Sequence, residues 1–344
     1  MTKEAKSGII IFAVLLIVIA AVSTVSAFAP VKQAPASVKI SSASKTSKNN
    51  QIILDRDYDE ESIKAYKDEY VAALYVQGVI QQENQDYNQQ WLLSKIKELK
   101  NDSRNQGLVV FVESPGGAVY QADEVYLALQ DYKTSGKKIY VYMGTLAASG
   151  GYYISCAANQ IWANRNTLTG SIGVISGQFV DISSLLEEKG IKTAIVHSGK
   201  NKAMGHMTEP FTQEQLDIMQ AISDECYQQF TSIVASCRKI PLEKVYALSD
   251  GRIYTARQAL EEKLIDRIDS FENCLSYFTE KELEKPGIRI ETFKKEKKTN
   301  FRDYLTGQIS DIFTNQAAAK LGIPASAMKE LNGFNDYPAY LYTK

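Results

Sequence analysis

Apolar residues cluster along this chain in short runs that alternate with stretches of helical spacing. The run 71–80 (Val-Ala-Ala-Leu-Tyr-Val-Gln-Gly-Val-Ile) reads as a buried strand, and 91–100 carries Trp91, Leu92, Ile96 and Leu99 on one helical face. A second apolar run, 107–112, ends at Ser114-Pro115-Gly116-Gly117. Residues 118–132 return to helical spacing, 139–143 predicts a third strand, and 149–158 is compatible with a helix. Strands alternating with helices predict a parallel α/β core.

Further on, 160–163 reads as a short strand and 169–175 as a glycine-punctuated strand or turn. Residues 182–189 predict a helix closed by Gly190, and 193–197 another strand, broken by Ser198-Gly199. Long amphipathic spacing predicts a helix over 212–238, with a shorter one over 242–248. The mixed charges of 281–298 read as solvated, and the tail closes on the aromatic-rich Tyr337-Pro-Ala-Tyr-Leu-Tyr342.

The N-terminal region changes this picture. From 8 to 29 the chain runs twenty-two residues without a charge, enough for one helix to cross a bilayer, which takes roughly 20 residues. Ala27-Phe28-Ala29 also fits the small-x-small pattern of a cleavable signal peptide, but an apolar segment of that type spans only about 7 to 15 residues. An uncleaved anchor is the expectation. Lys32, Lys39, Lys45 and Lys48 outnumber Lys3 and Lys6, yet a large domain translocates largely regardless of charge. With seven residues ahead of it, the helix is expected to export the polypeptide on its C-terminal side. The expected organisation is therefore a short segment 1–7, an anchor 8–29, a tether 30–50 rich in Ala, Pro, Ser and Lys, a catalytic domain 51–280, and a charged and aromatic extension 281–344.

Charge excludes one class of partner. Thirty-nine Lys and Arg against forty Asp and Glu leave no excess to neutralise a phosphate backbone, so nucleic acid is not expected. Cys156, Cys226, Cys237 and Cys274 show no C-x-x-C spacing; buried thiols are the simpler reading, and nothing supports a Cys226–Cys237 disulfide. His197 and His206 lack the companions of a metal site, and no cofactor is expected.

The candidate chemistry centres on Ala147-Ala-Ser-Gly-Gly-Tyr-Tyr153, a serine flanked only by small residues directly after a strand. Serine needs a base within hydrogen-bond reach to act as a nucleophile. Ser198-Gly-Lys-Asn-Lys202 brings amines, and His197 and His206 lie on the same stretch, so either type of base is available there. A lysine serves only when uncharged, a fall of roughly three units from its reference value at about 1.36 kcal/mol each, and burial is the usual means. Ser171 offers a hydroxyl that could orient such an amine. Gly116, Gly117 and Gly150 are the candidate oxyanion donors, each such donor being worth about 2.7–4 kcal/mol.

Five motifs in order resemble the signal peptide peptidase A family: Ser114-Pro-Gly-Gly117, the Ser149 segment, Leu168-Thr-Gly-Ser-Ile-Gly-Val174, Ser198-Gly-Lys-Asn-Lys202 and Asp250-Gly-Arg-Ile-Tyr-Thr-Ala-Arg-Gln-Ala-Leu260. The resemblance spans about 71–269. It implies a Ser/Lys serine endopeptidase on a Clp/crotonase-like parallel-sheet core with flanking helices, anchored by one N-terminal transmembrane helix. It further implies a ring or dome of identical subunits and remnant signal peptides as substrates; the exporting anchor read above puts the catalytic domain on the extracytoplasmic side of the cell membrane. Carried over, the nucleophile falls on Ser149, the base on Lys202, the lysine-positioning hydroxyl on Ser171 and an oxyanion donor on Gly116. At Glu113 the chain has an acid where the family commonly has asparagine. With each motif present once, nucleophile and base can come from one subunit. Two other readings compete: a crotonase-like enzyme acting on acyl thioesters, and an inactive member serving as a membrane scaffold. The Ser149 and Lys202 pair disfavours both. The segment 250–260 is expected to be structural.

Overall fold

The computed structural model describes residues 51, 52, 54, 65–296 and 339–341, all within the unit Ser44–Lys344. In chain order these form β1 (Gln51–Ile52), β2 (Tyr70–Gln77), α1 (Gln89–Asn101), β3 (Asn105–Ser114), β4 (Gly116–Ala118), α2 (Val119–Lys133), β5 (Lys138–Ala148) and α3 (Gly150–Ser155). Next come β6 (Gln160–Ala163), β7 (Leu168–Gly170), α4 (Ser183–Glu188), α5 (Gln213–Arg238), α6 (Leu242–Leu248), β8 (Ile253–Thr255) and α7 (Ala256–Glu261). β9 (Arg267–Ile268), α8 (Phe271–Tyr277), one π-helical turn (Phe278–Glu282), β10 (Arg289–Phe293) and β11 (Ala339–Leu341) complete the described elements.

The main sheet runs β1-β10-β2-β3-β5-β6-β9, with β7 also pairing β5 and β8 pairing β7. Its centre is parallel throughout, from β10 to β9, so the expected parallel α/β core is present. The apolar runs of β2, β3 and β5 are continuous because both faces of the sheet are covered. Leu74, Val110, Val141 and Met143 face one core together with Ile96, Leu129 and Phe230 from the helices; alternate residues Ala73, Val109, Tyr140 and Tyr142 face a second core built on Leu275, Phe278 and Ile290.

Polar groups inside this framework are paired. Asn105 is fully buried, accepts the hydroxyl proton of Tyr132 at 2.5 Å and donates to the Gly107 carbonyl at 3.0 Å, tying the start of β3 to α2. Arg238, at the end of α5, donates to both carboxylate oxygens of Asp266 at 2.9 and 2.7 Å and to the Lys263 carbonyl at 2.8 Å. Asp266 in turn accepts the Ile161 amide of β6 at 2.7 Å, so one ion pair joins α5 to the sheet edge.

Two segments differ from expectation. Residues 281–298 are not simply solvated: β10 lies between β1 and β2, with Ile288 and Ile290 buried while Arg289 and Glu291 pair beside them at 2.7 Å. The alternation of two isoleucines with charged neighbours is a half-buried strand pattern that the charge content masks. Residues 193–197 form no strand and have no sheet partner, Val196 being wholly exposed. β-branched composition alone does not make a strand where no edge is within reach. Among the described residues no helix is long and apolar enough to cross a membrane, and the stretch 8–29 lies outside them.

Asp266→Ala strips Arg238 of its partner in a site where that side chain is 9% exposed. The expected cost is about 3 kcal/mol of unfolding free energy, read from urea titrations of the variant and the parent.

Candidate active site

Ser149 sits where β5 ends and α3 begins. Its backbone has φ 54° and ψ −117°, a conformation that side-chain-bearing residues rarely adopt. The expected helix 149–158 is thus a shorter one, with Ser149 as the strained residue ahead of it rather than a helical residue. Its amide donates to the Gly170 carbonyl at 2.7 Å and its carbonyl accepts the Tyr153 amide at 2.8 Å, which holds the turn from both sides. Glycine is required two residues on: a Cβ on Gly151 would stand 2.8 Å from the Ser114 carbonyl oxygen. This arrangement of strand, strained serine and helix is the geometry of a nucleophile elbow.

The Ser149 hydroxyl is fully buried, and its Oγ has no hydrogen-bond partner among the described residues. An orphaned buried hydroxyl is uncommon, because leaving it unsatisfied costs about 1–3 kcal/mol. Among the described residues nothing satisfies it.

The β3–β4 turn faces it. Ser114, fully buried, donates from its hydroxyl to the Gly78 carbonyl at 2.6 Å and accepts the Gly116 amide at 3.1 Å. The Gly116 N–H, one of the expected oxyanion donors, is therefore engaged by Ser114. Gly116 has φ 105°, a conformation that glycine permits. The Gly116 carbonyl and the Ala118 amide both bond to Ile80, so the peptide groups of Gly117 face the opposite edge. There β11 pairs antiparallel with β4, matching Ala339 to Ala118, Tyr340 to Gly117 and Leu341 to Gly116. A Cβ on Gly117 would lie 1.8 Å from the Ile80 carbonyl oxygen, which explains the second glycine.

Glu113 has a clear task. Pairing between β3 and β5 shifts register between Val112 and Ser114, and Glu113 Oε2 accepts the Thr145 amide at 2.8 Å across that irregularity. The acid thereby supports the strand that delivers Ser149. From the other side, the Thr169 hydroxyl donates to the Ala147 carbonyl at 2.6 Å and the Thr167 hydroxyl to the Gly144 carbonyl at 2.6 Å.

Ser171 lies just past β7, is nearly buried, and has φ 50°. Its amide donates to the Arg252 carbonyl at 2.8 Å, and β7 pairs with β8. The segment 250–260, expected to be structural, is so: Arg252 pairs with Asp250, holding the Asp250 carboxyl at about 2, and a capping box of Thr255 and Gln258 opens α7. Its carbonyl at Arg252 supports Ser171, a backbone role that no side-chain motif announces. Tyr153, expected only as part of the serine motif, donates to Asp123 at 2.6 Å while Gln229 donates to its hydroxyl at 2.7 Å, locking α3 between α2 and α5.

Ser149, Gly150, Gly170, Ser171 and the Gly116–Gly117 turn come together; Lys202 does not join them in the single chain. Lys202 is exposed, while Ser149 is sealed and unpartnered. No residue from 173 to 229 is buried. This arm is ordered by its own bonds, such as the Ile182 amide to the Met207 carbonyl at 2.9 Å and the Phe179–Phe211 ring contact at 5.5 Å. Lys200 pairs with Glu214 in the first turn of α5 and lowers its carboxyl below the usual range, which leaves Lys200 committed. His197 and His206 are exposed and contact Gly199 and Thr208 respectively, so neither reaches Ser149. Among the described residues no group of three or more His, Cys, Asp or Glu could hold a metal.

A buried serine on a strained strand-to-helix turn, facing glycine amides, defines a serine hydrolase site. The sequence profile of peptidase family S49 matches residues 131–285, and that of Clp protease matches 64–188. A protein of Enterococcus faecium named "Putative signal peptide peptidase SppA" is 32% identical over 271 residues, covering 75% of this chain and 74% of that one. "Protease 4" of Haemophilus influenzae is 28% identical over 261 residues, 72% of this chain and 42% of its own length. "Serine protease SPPA, chloroplastic" of Arabidopsis thaliana is 28% identical over 191 residues, 55% of this chain and 28% of its own. The chain belongs to peptidase family S49 and is a serine protease.

Glu113→Ala, which leaves the Thr145 amide unsupported, is expected to lower kcat roughly 10-fold with the fold retained; Glu113→Gln keeps an acceptor and most of the rate. Gly117→Ala must displace β4 and is expected to cost at least about 100-fold in peptide hydrolysis. Steady-state kinetics alongside circular dichroism separate these outcomes from unfolding.

Proposed function

We propose that this serine endopeptidase uses Ser149 and Lys202 as its dyad, is anchored to the cell membrane by 8–29 with its catalytic domain outside the cytoplasm, and cleaves remnant signal peptides or other membrane-associated peptides. The observation that carries the reading is the sealed, partnerless Ser149 hydroxyl at a strained turn beside glycine amides. The parallel sheet and the Clp protease profile support a Clp/crotonase-like fold for the core. The name carried by the Enterococcus relative supports the substrate class, and the apolar stretch 8–29 supports the anchor.

A peptide substrate enters as β11 does, by adding an antiparallel strand to β4, an edge built for main-chain pairing. Its scissile carbonyl is attacked by Ser149 Oγ while the amine of Lys202 takes the hydroxyl proton and later returns it to the leaving amine. The Gly117 and Gly150 amides stabilise the oxyanion, Gly150 being the first residue of α3 and so without an intrahelical acceptor for its N–H. Ser171 orients the lysine.

A lysine accepts that proton only when shielded from water, whereas in the single chain Lys202 is exposed. The arm that bears it presents Leu185, Ile191, Val196 and Met207 to solvent, and the first half of α5 adds Leu216 and Ile222. These features support assembly of identical subunits in which one chain's Lys202 reaches its neighbour's Ser149.

Ser149→Ala and Lys202→Ala are each expected to abolish peptide hydrolysis, and co-expression of the two is expected to restore part of the activity, because some neighbouring pairs then hold one intact serine and one intact lysine. Failure of the mixed assemblies to regain any activity would place the base within the same chain as the nucleophile. For the parent protein, kcat/KM should rise with pH as the base loses its proton, and a flat profile between about pH 6 and 9 would contradict a lysine base.

A further inference from the structure

The loop 78–88 joins β2 to α1 and forms the inner support of β4. The Ile80 amide donates to the Gly116 carbonyl and the Ala118 amide to the Ile80 carbonyl, both at 2.8 Å, with Ile80 and Gly117 bridged in parallel. Asn84 shapes this loop from within. Its side-chain amide donates to the Val79 carbonyl at 2.7 Å, and its side-chain oxygen accepts the Asp86 and Tyr87 amides at 2.9 and 2.8 Å. A cation 211 residues further along the chain closes the loop from outside. β10 pairs in parallel with β2, its last residue Phe293 opposite Leu74, so the chain leaving β10 emerges beside the loop leaving β2. Lys95 of α1 lies over the Phe293 ring at 5.1 Å and Lys294 over the Tyr75 ring at 4.4 Å, which fixes that exit. Lys295 Nζ then donates to the Asn84 carbonyl at 2.5 Å and the Tyr87 carbonyl at 3.0 Å, with the Glu83 carboxylate 3.9 Å away. The Lys295 side chain is only 16% exposed. An ammonium so covered is tolerated when acceptors satisfy it, and these two carbonyls bracket the 84–87 turn.

We infer that Lys295 is a positioning residue for peptide binding: it fixes the 84–87 turn, the turn fixes Ile80, and Ile80 fixes the strand β4 to which substrate adds. The inference rests on the reading of β4 as the edge that pairs with peptide. Gly116 and Ala118 bond inward to Ile80, and the Gly117 peptide groups face outward, so any shift of the loop carries the outward-facing groups with it. Without the ammonium the Asn84 and Tyr87 carbonyls lose a charge-assisted donor, and the loop keeps only the bonds that Asn84 makes within it. The bonds of Lys295 are to the loop and not to Ser149, so its effect reaches the reaction through β4. The residue lies beyond 131–285, the stretch matched by the peptidase S49 profile, in a charged segment whose composition gives no sign of a role at the site.

The test compares the full-length protein with its Lys295→Met, Lys295→Arg and Asn84→Ala variants. Amide hydrogen exchange is read on fragments covering 78–88 and 114–120, beside steady-state hydrolysis of a peptide long enough to pair along β4. Lys295→Met is expected to speed exchange at the Ile80 and Ala118 amides while β3 and β5 exchange as in the parent, and to lower kcat/KM about 10-fold, most of it as a raised KM. Lys295→Arg, which keeps a cationic donor, should retain most of the parent's protection and rate. Asn84→Ala should reproduce the Lys295→Met effects, and combining the two should add little, because both act through one loop. Unchanged exchange over 114–120 in Lys295→Met, or faster exchange across the whole sheet, would overturn the inference. Faster exchange at Ile80 and Ala118 with unaltered peptide kinetics would uphold the link from Lys295 to β4 and overturn the reading of β4 as the substrate edge.

Discussion

A serine held at φ 54° and ψ −117° stores strain of about 1–3 kcal/mol, and the rest of the structure exists around that residue. The strain persists because both sides of the turn are over-determined. β5 pairs with β3, β6 and β7, so the strand cannot slide to relieve it. The Gly170 carbonyl fixes the Ser149 amide, and Gly151 can approach Ser114 only because it lacks a side chain. Glu113 and Thr169 bind backbone groups of β5 within a few residues of the serine. What these contacts maintain is one buried hydroxyl with no hydrogen-bond partner among the described residues.

The same constraint divides labour across the chain. Ser149 and the glycine turn belong to the sheet, where burial is complete. The Lys202-bearing arm has none of that burial, and α5 is fully buried only at Phe230, Thr231 and Val234, near its C-terminal end. Beside the serine, β4 carries β11 on its outer edge in antiparallel register.

Much of this was legible in the residues. The runs in β2, β3 and β5 announced a buried parallel sheet, and helices 212–238 and 242–248 matched α5 and α6 closely. Ser149 and the glycine pair were readable because close approach leaves small residues at and around them, and Ser171 because its motif resembles that of the family. Other features were hidden for physical reasons. β10 was obscured because a strand with one buried face can carry charges on the other, as Arg289 and Glu291 do. The Arg252 carbonyl that holds Ser171 is a backbone pairing and the Ser114 hydroxyl that accepts the Gly116 amide a side-chain one; both depend on spatial register and leave no signature in composition.

The chemistry of the whole site depends on Ser149 being the nucleophile. Incubating the purified protein with a fluorophosphonate, then mapping the phosphonylated peptide by mass spectrometry, tests this most directly. The predicted result is modification of Ser149 with loss of peptidase activity in proportion to labelling. Stoichiometric label on any other serine, with Ser149 unmodified and activity lost, would contradict it.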